Sequence, residues 1–102
     1  MPRKLSDAQA HLRELRARLT PEQLEESDMH LLELELGMSI NELRHAHGLT
    51  QTQLAERSGV PQGQISRIEQ AVGVNPTQKT LLKLARALDA DLRIVPRGGD
   101  AA

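Results

Sequence analysis

Residues 40–70, INELRHAHGLTQTQLAERSGVPQGQISRIEQ, constrain this chain more than any other stretch. Short apolar-periodic segments are punctuated by Gly48 and Gly59, which predicts short helices separated by tight turns. Ile40 and Leu43 are three apart and share one helical face. Gly48 stands where a left-handed helix end needs a residue without a Cβ. Thr50 and Gln53 have the spacing of a capping box, in which each side chain meets the other residue's backbone amide. Leu49 and Leu54 supply the hydrophobic staple. Leu54 and Ala55 form the buried side of this helix, and Gly59 ends it. The next helix is predicted to start near Pro61, because a first-turn amide has no helical partner to lose.

Ile65 and Ile68 face inward in that helix, which leaves Gln62, Gly63, Gln64, Ser66 and Arg67 facing out. Glutamine matches the N6 and N7 edge of adenine, and arginine the O6 and N7 edge of guanine. Two short helices joined by a tight turn, the second opening on a polar cluster, suit insertion into a major groove. Sequence-specific duplex DNA is therefore the leading partner.

The stretch from Leu36 to Leu88 resembles the Xre and lambda-repressor-like helix-turn-helix family. The resemblance rests on Leu43-Arg44, Gly48-Leu49-Thr50-Gln51, Leu54-Ala55, Gly59-Val60, Ile65-Ser66-Arg67-Ile68-Glu69, Pro76 and Thr80 to Leu88. It implies an all-α bundle. It also implies that Gln51, with Thr52 beside it, meets a DNA phosphate. By the same resemblance Gln62, Gln64 and Arg67 are base-reading or phosphate-reaching residues, with Gly63 and Ser66 on the same face. Arg44 and Glu69 match a structural ion pair. Two residues depart from the family pattern. Ala71 stands where glycine is common, which bears on the next loop's geometry. Gly63 occupies a position that commonly carries a reading side chain, which implies fewer direct base contacts or a close backbone approach.

Composition excludes other classes. There is no cysteine, hence no disulfide framework and no thiolate metal site. There is no Phe, Trp or Tyr, so the platforms on which single strands and RNA bases stack are missing. No apolar run reaches the roughly 18 residues of a membrane span. Met1-Pro2-Arg3-Lys4 leads into an amphipathic helix rather than an apolar signal core, which predicts a cytoplasmic protein. The net charge of −1 is segregated: +3 over residues 1–20, −6 over 21–47 and +2 over 48–102. So few phosphate-neutralising groups predict modest affinity per monomer and salt sensitivity, which dimerisation would remedy.

The N-terminal flank reads as helix. Ser6 to Gln9 has capping-box spacing, and Leu5, Ala8, Leu12, Leu15 and Leu19 form a stripe suited to packing on the protein's own domain or a dimer mate. Thr20 to Gln23 is a second box, with Leu19 and Leu24 as staple, so one helix ends near Leu19 and another begins near Pro21. Residues 29–40 are ambiguous. Leu32, Leu34, Leu36, Met38 and Ile40 alternate with polar or small residues, as in a strand. Leu, Glu and Met are also strong helix formers, and Leu32, Leu36, Ile40 and Leu43 make a helical line, so the expectation carried forward is a helix from about Asp28 to His47. Its acidic groups either meet a basic partner or form the solvated side of a buried helix.

Beyond the motif, Thr77 or Asn75 can cap a further helix whose inner face is Leu81, Leu84, Ala85 and Leu88. Lys79, Lys83 and Arg86 lie on its polar side. Asp91 to Pro96 reads as a short strand carrying Leu92, Ile94 and Val95. A lone strand leaves backbone groups unpaired, so pairing with its copy in a two-fold homodimer is expected. The predicted organisation is a helical extension over 1–35, a helix-turn-helix domain over 36–89, a dimer strand over 90–97 and a flexible tail over 98–102. In this architecture the chain resembles antitoxins of the HigA and HipB kinds, which repress their own operons and bind a toxin. That implies a ribonuclease or kinase toxin as partner, with 21–40 as candidate surface. The alternative is a stand-alone or phage-type repressor. No catalytic grouping is visible. His45 and His47 are two apart and point to different helix faces, which is poor spacing for a metal pair. No enzyme activity, cofactor or metal is expected.

Overall fold

Thr20 opens the longest helix. Its amide donates to Gln23 Oε1 at 2.9 Å and its Oγ1 accepts from the Gln23 amide at 3.2 Å. The computed structural model describes residues 5–73 and 75–96. Five helices follow in order: α1 (Leu5–Ala17), α2 (Pro21–Ala46), α3 (Gln51–Ser58), α4 (Gln62–Gln70) and α5 (Gln78–Ala87). The chain divides into two compact units between Leu32 and Glu33. The all-helical architecture agrees with the expected bundle.

In the first unit, α1 starts at Leu5, so Ser6 lies inside the helix rather than at its cap. Arg16 binds Asp28 with contacts of 2.6 and 3.3 Å, joining α1 to the start of α2. Leu12 and Leu15 of the expected stripe are exposed. The segment expected to be helical from Asp28 is helical from Pro21, in one run of 26 residues. The alternation at 29–40 is therefore a helix pattern: Leu36 packs on the core and Ile40 and Arg44 are buried one turn apart, while Met38 stays exposed.

The second unit is built on Ile40, Leu54, Val60, Ile65, Ile68, Leu84 and Leu88, with Leu36, Leu43, Leu49, Ala55, Ala87 and Ala90 packed against them. Leu54, Ile65 and Leu84 are wholly buried, worth roughly 1.5–3 kcal/mol each relative to exposure. The Thr50 box forms, with contacts of 2.9 and 3.1 Å, and starts α3. Gly59 ends α3 in the left-handed conformation, φ 79°. Pro61 is the N-cap of α4 rather than its first residue; its carbonyl accepts from the Gln64 and Ile65 amides. Ala71 ends α4 at φ 55°, ψ 41°, adopting the left-handed geometry that glycine takes more easily. Thr77, not Asn75, caps α5, its Oγ1 accepting from the Thr80 amide at 3.1 Å.

One contact fixes how closely α2 and α4 approach. A Cβ on Gly37 would lie 2.4 Å from the Ile68 carbonyl oxygen and 3.0 Å from that of Glu69. Only glycine lets the two backbones meet this way.

The expected C-terminal strand is not formed. Residues 91–96 carry no strand, and Leu92, Ile94 and Val95 are exposed. A strand requires a second extended segment to complete its ladder, and none occurs among the described residues. Met1 to Lys4 and the tail over 98–102 lie outside the described residues.

Candidate nucleic-acid interface

The outer face of α4 follows from its anchors. Ile65 and Ile68 are driven into the core, so Gln62, Gly63 and Arg67 are exposed and Gln64 and Ser66 half-buried. On α3 the burial of Leu54 leaves Thr52 exposed and Gln51 half-buried at the helix start. The two helix starts adjoin: Gln62 Nε2 donates to Gln51 Oε1 at 2.8 Å. Gln51, Thr52, Gln62 and Gly63 are thus brought together. Gln64, Ser66 and Arg67 follow along α4, where Ser66 Oγ accepts from Gln70 Nε2 at 3.2 Å. The first amides of a helix have no intrahelical acceptor and carry the positive end of its dipole, so this junction suits an anion such as a phosphate.

Beneath it lies the buried ion pair. Arg44 donates from Nε to Glu69 Oε2 at 2.8 Å and from NH2 to Glu69 Oε1 at 2.9 Å, a two-pronged fork joining α2 to α4. Arg44 NH1 also donates to the Leu49 carbonyl at 2.8 Å, tying down the turn before α3. Asn41 Nδ2 donates to Glu69 Oε1 at 2.7 Å. Both ionic side chains are about nine-tenths buried or more, at 10% and 5% exposure. Burial pushes the Glu69 carboxyl up. Hydrogen bonds from Arg44 and Asn41, with the Arg44 charge, overcome that and hold it below the ordinary carboxylate range. The hydrogen bond to Glu69 raises Arg44 further, against its own burial. Removing one partner of such a pair costs about 3–5 kcal/mol, because the other charge is left buried and unpaired.

Sequence reading missed the contact between Gln51 and Gln62, which joins the starts of α3 and α4. It also missed Asn41, although Asn41 and Arg44 are three apart and so share a helix face.

His45 of α2 and His47 of the turn after it serve the scaffold. His45 Nδ1 lies 2.8 Å from the Asn41 carbonyl, and His47 Nε2 lies 2.8 Å from the Leu88 carbonyl. Among the described residues no group of three or more His, Asp or Glu side chains could hold a metal ion. Among them, too, no helix is long and apolar enough to cross a membrane.

Comparison with known proteins agrees with this geometry. No curated protein matches the chain. A solved structure described as a toxin-antitoxin module from Streptococcus pneumoniae is 31% identical, over 94% of this chain and 96% of that one, with a TM-score of 0.56. Residues 40–95, more than half of the chain, match the helix-turn-helix family. They contain the Arg44–Glu69 fork and the adjoining starts of α3 and α4, and the chain belongs to the Xre-type helix-turn-helix family.

Proposed function

We propose that this protein is a sequence-specific DNA-binding transcriptional repressor, and that it is the antitoxin of a type II toxin-antitoxin pair that represses its own operon. The observation that carries the DNA reading is the Gln51–Gln62 pair on the outer face where α3 and α4 begin. Gln51 and Thr52, at the start of α3, take a backbone phosphate. Gln62 and Gln64 meet base edges, and Arg67 reaches a guanine or a phosphate. Gly63 has open space where a side chain would stand, which suits close passage of the DNA backbone. The buried fork beneath makes the reading surface rigid, which favours direct readout over adaptation.

Repression follows from occupancy. A homodimer sets two copies of α4 in successive major grooves, roughly 34 Å apart, on a near-palindromic operator, and excludes polymerase. The support for a dimer is apolar surface. Leu92, Ile94 and Val95 are exposed next to a groove of about 190 Å³ lined by Leu36, Ile40, Leu81, Leu88 and Leu92. The antitoxin reading is supported by the toxin-antitoxin module to which the chain is similar. It is also supported by exposed Met29, Leu31 and Leu32 set among Glu22, Glu25 and Glu26, a surface suited to a basic toxin. The protein works where its DNA is, in the cytoplasm.

The test has two arms. The purified chain should enrich a two-fold-related site from random duplexes and bind the same site upstream of its own gene. Binding no duplex better than bulk DNA would end the proposal. Co-expression with the neighbouring gene should yield a complex that survives purification. If DNA is bound but no such complex forms, the stand-alone regulator replaces the antitoxin.

A further inference from the structure

We infer that the hollow between the C-terminal ends of α3 and α5 is a binding site for a small phosphorylated molecule, separate from the junction where α3 and α4 begin. The hollow has a volume of about 530 Å³, and His47, Arg57, Lys83, Arg86 and Asp89 are among its walls. Small-molecule sites commonly enclose about 300–1,000 Å³. Burial of Leu84, Ala85 and Leu88 turns Lys83 and Arg86, three apart on α5, to the outside. Arg57 stands on the last turn of α3. His47 fixes a third wall. A carbonyl only accepts, so His47 Nε2 donates to that of Leu88, at 2.8 Å, and holds the turn after α2 against the end of α5.

The ordinary roles of such cations do not account for these. Cations near a helix C-terminus commonly bond its last carbonyls. Here backbone amides take them: Gly59 caps the Ala55 carbonyl at 2.8 Å, Ala90 that of Ala85 at 2.8 Å and Asp89 that of Arg86 at 3.2 Å. Nor do the cations pair with acids. Asp89 lines the same hollow, yet among the described residues Arg57, Lys83 and Arg86 form no ion pair with any carboxylate. Three cations and one acid leave the hollow at +2, in a chain whose net charge is −1. A phosphomonoester carries about −1.5 to −2 near neutral pH and offers three strong acceptor oxygens, so it matches both the charge and the donors. The volume leaves room beyond a phosphate group for an organic body over Ala87. Gln51 opens α3 and Arg57 nearly closes it, about 10 Å further along the axis, so a ligand here leaves the start of α3 uncovered.

The experiment titrates the full chain with inorganic phosphate and with adenosine monophosphate, read by backbone amide resonances, with adenosine as the uncharged control. Both phosphates should move the amides of residues 57–59 and 83–90 saturably, and adenosine should not. Arg86 is exposed, so Arg86→Gln should fold as wild type does and weaken nucleotide binding at least about fivefold. Asp89→Asn should strengthen binding, because it removes a like charge while asparagine tolerates the left-handed φ of 51° at that position. Both variants should bind duplex DNA as wild type does. The site is overturned if neither phosphate gives a saturable shift at these residues, or if adenosine gives the same shifts. A nucleotide affinity unchanged in Arg86→Gln overturns it as well. Loss of duplex affinity in Arg86→Gln would assign the hollow to a DNA phosphate, and that too overturns the proposal.

Discussion

Replacing Gly37 with alanine should destabilise the protein, although alanine is the better helix former. The gain in helix propensity is about 1 kcal/mol. Against it, the new methyl carbon would sit 2.4 Å from the Ile68 carbonyl oxygen, where ordinary contact begins near 3.4 Å, so α2 and α4 must separate by about 1 Å. The obstructing atoms are backbone and cannot rotate away. Separation loosens Ile40 and Ile68, both core residues, and a gap of about 1 Å forfeits up to half of each lost dispersion contact. It also stretches the 2.8 and 2.9 Å bonds of the Arg44–Glu69 fork, which spans the same two helices. Overpacking of this kind costs roughly 1–3 kcal/mol, and partial loss of a buried pair adds to it. The net expectation is a loss of about 2–4 kcal/mol, read as a drop in the denaturant midpoint by far-ultraviolet circular dichroism. Gly63→Ala is the matched control. That helical glycine has nothing within 4 Å of the added carbon, so the substitution should stabilise the free protein by about 0.5–1 kcal/mol. Gly37→Ala at wild-type stability or above would refute the close approach of α2 to α4.

Two further outcomes follow. Ala71→Gly should stabilise the protein by up to about 1 kcal/mol in thermal melts: alanine's left-handed conformation costs about 1–2 kcal/mol, and added unfolded-state entropy offsets part of the relief. Glu69 is held below its ordinary range when folded. Its contribution should therefore be complete above the unfolded carboxylate value of about 4.3 and fade as pH falls through the lower folded value. Stability curves measured against pH should lose that part of their acid slope in Glu69→Gln, and an unchanged slope would contradict the assignment.

What could be read from the sequence was local. The boxes at Thr20 and Thr50 join residues three apart, and Gly48 and Gly59 adopt the positive φ that their turns require. The inward faces of α3, α4 and α5 followed from apolar spacing around Leu54, Ile65, Ile68 and Leu84. Among the contacts distant in sequence, the Arg44–Glu69 pair was legible through the family resemblance, and the others left little trace. Gly37 is special because of Ile68 and Glu69, which periodicity within α2 cannot reveal. The Gln51–Gln62 contact joins two polar residues that each look solvated when read alone. The alternation at 29–40 imitates a strand because leucine-rich helices can expose apolar residues on several faces, and helix propensity pointed to the helix that forms. The run at 91–96 has strand-forming residues, but a ladder needs a second edge that the described chain does not supply.

The central claim is that the outward side chains opening α4 read base edges. It is tested most directly by comparing Gln62→Ala with wild type on the selected operator and on scrambled duplex at one salt concentration. The account predicts that affinity for the operator falls by about 1–3 kcal/mol while affinity for scrambled DNA hardly moves. An equal loss on both would show that Gln62 only touches the backbone, and no loss on either would remove the start of α4 from the interface.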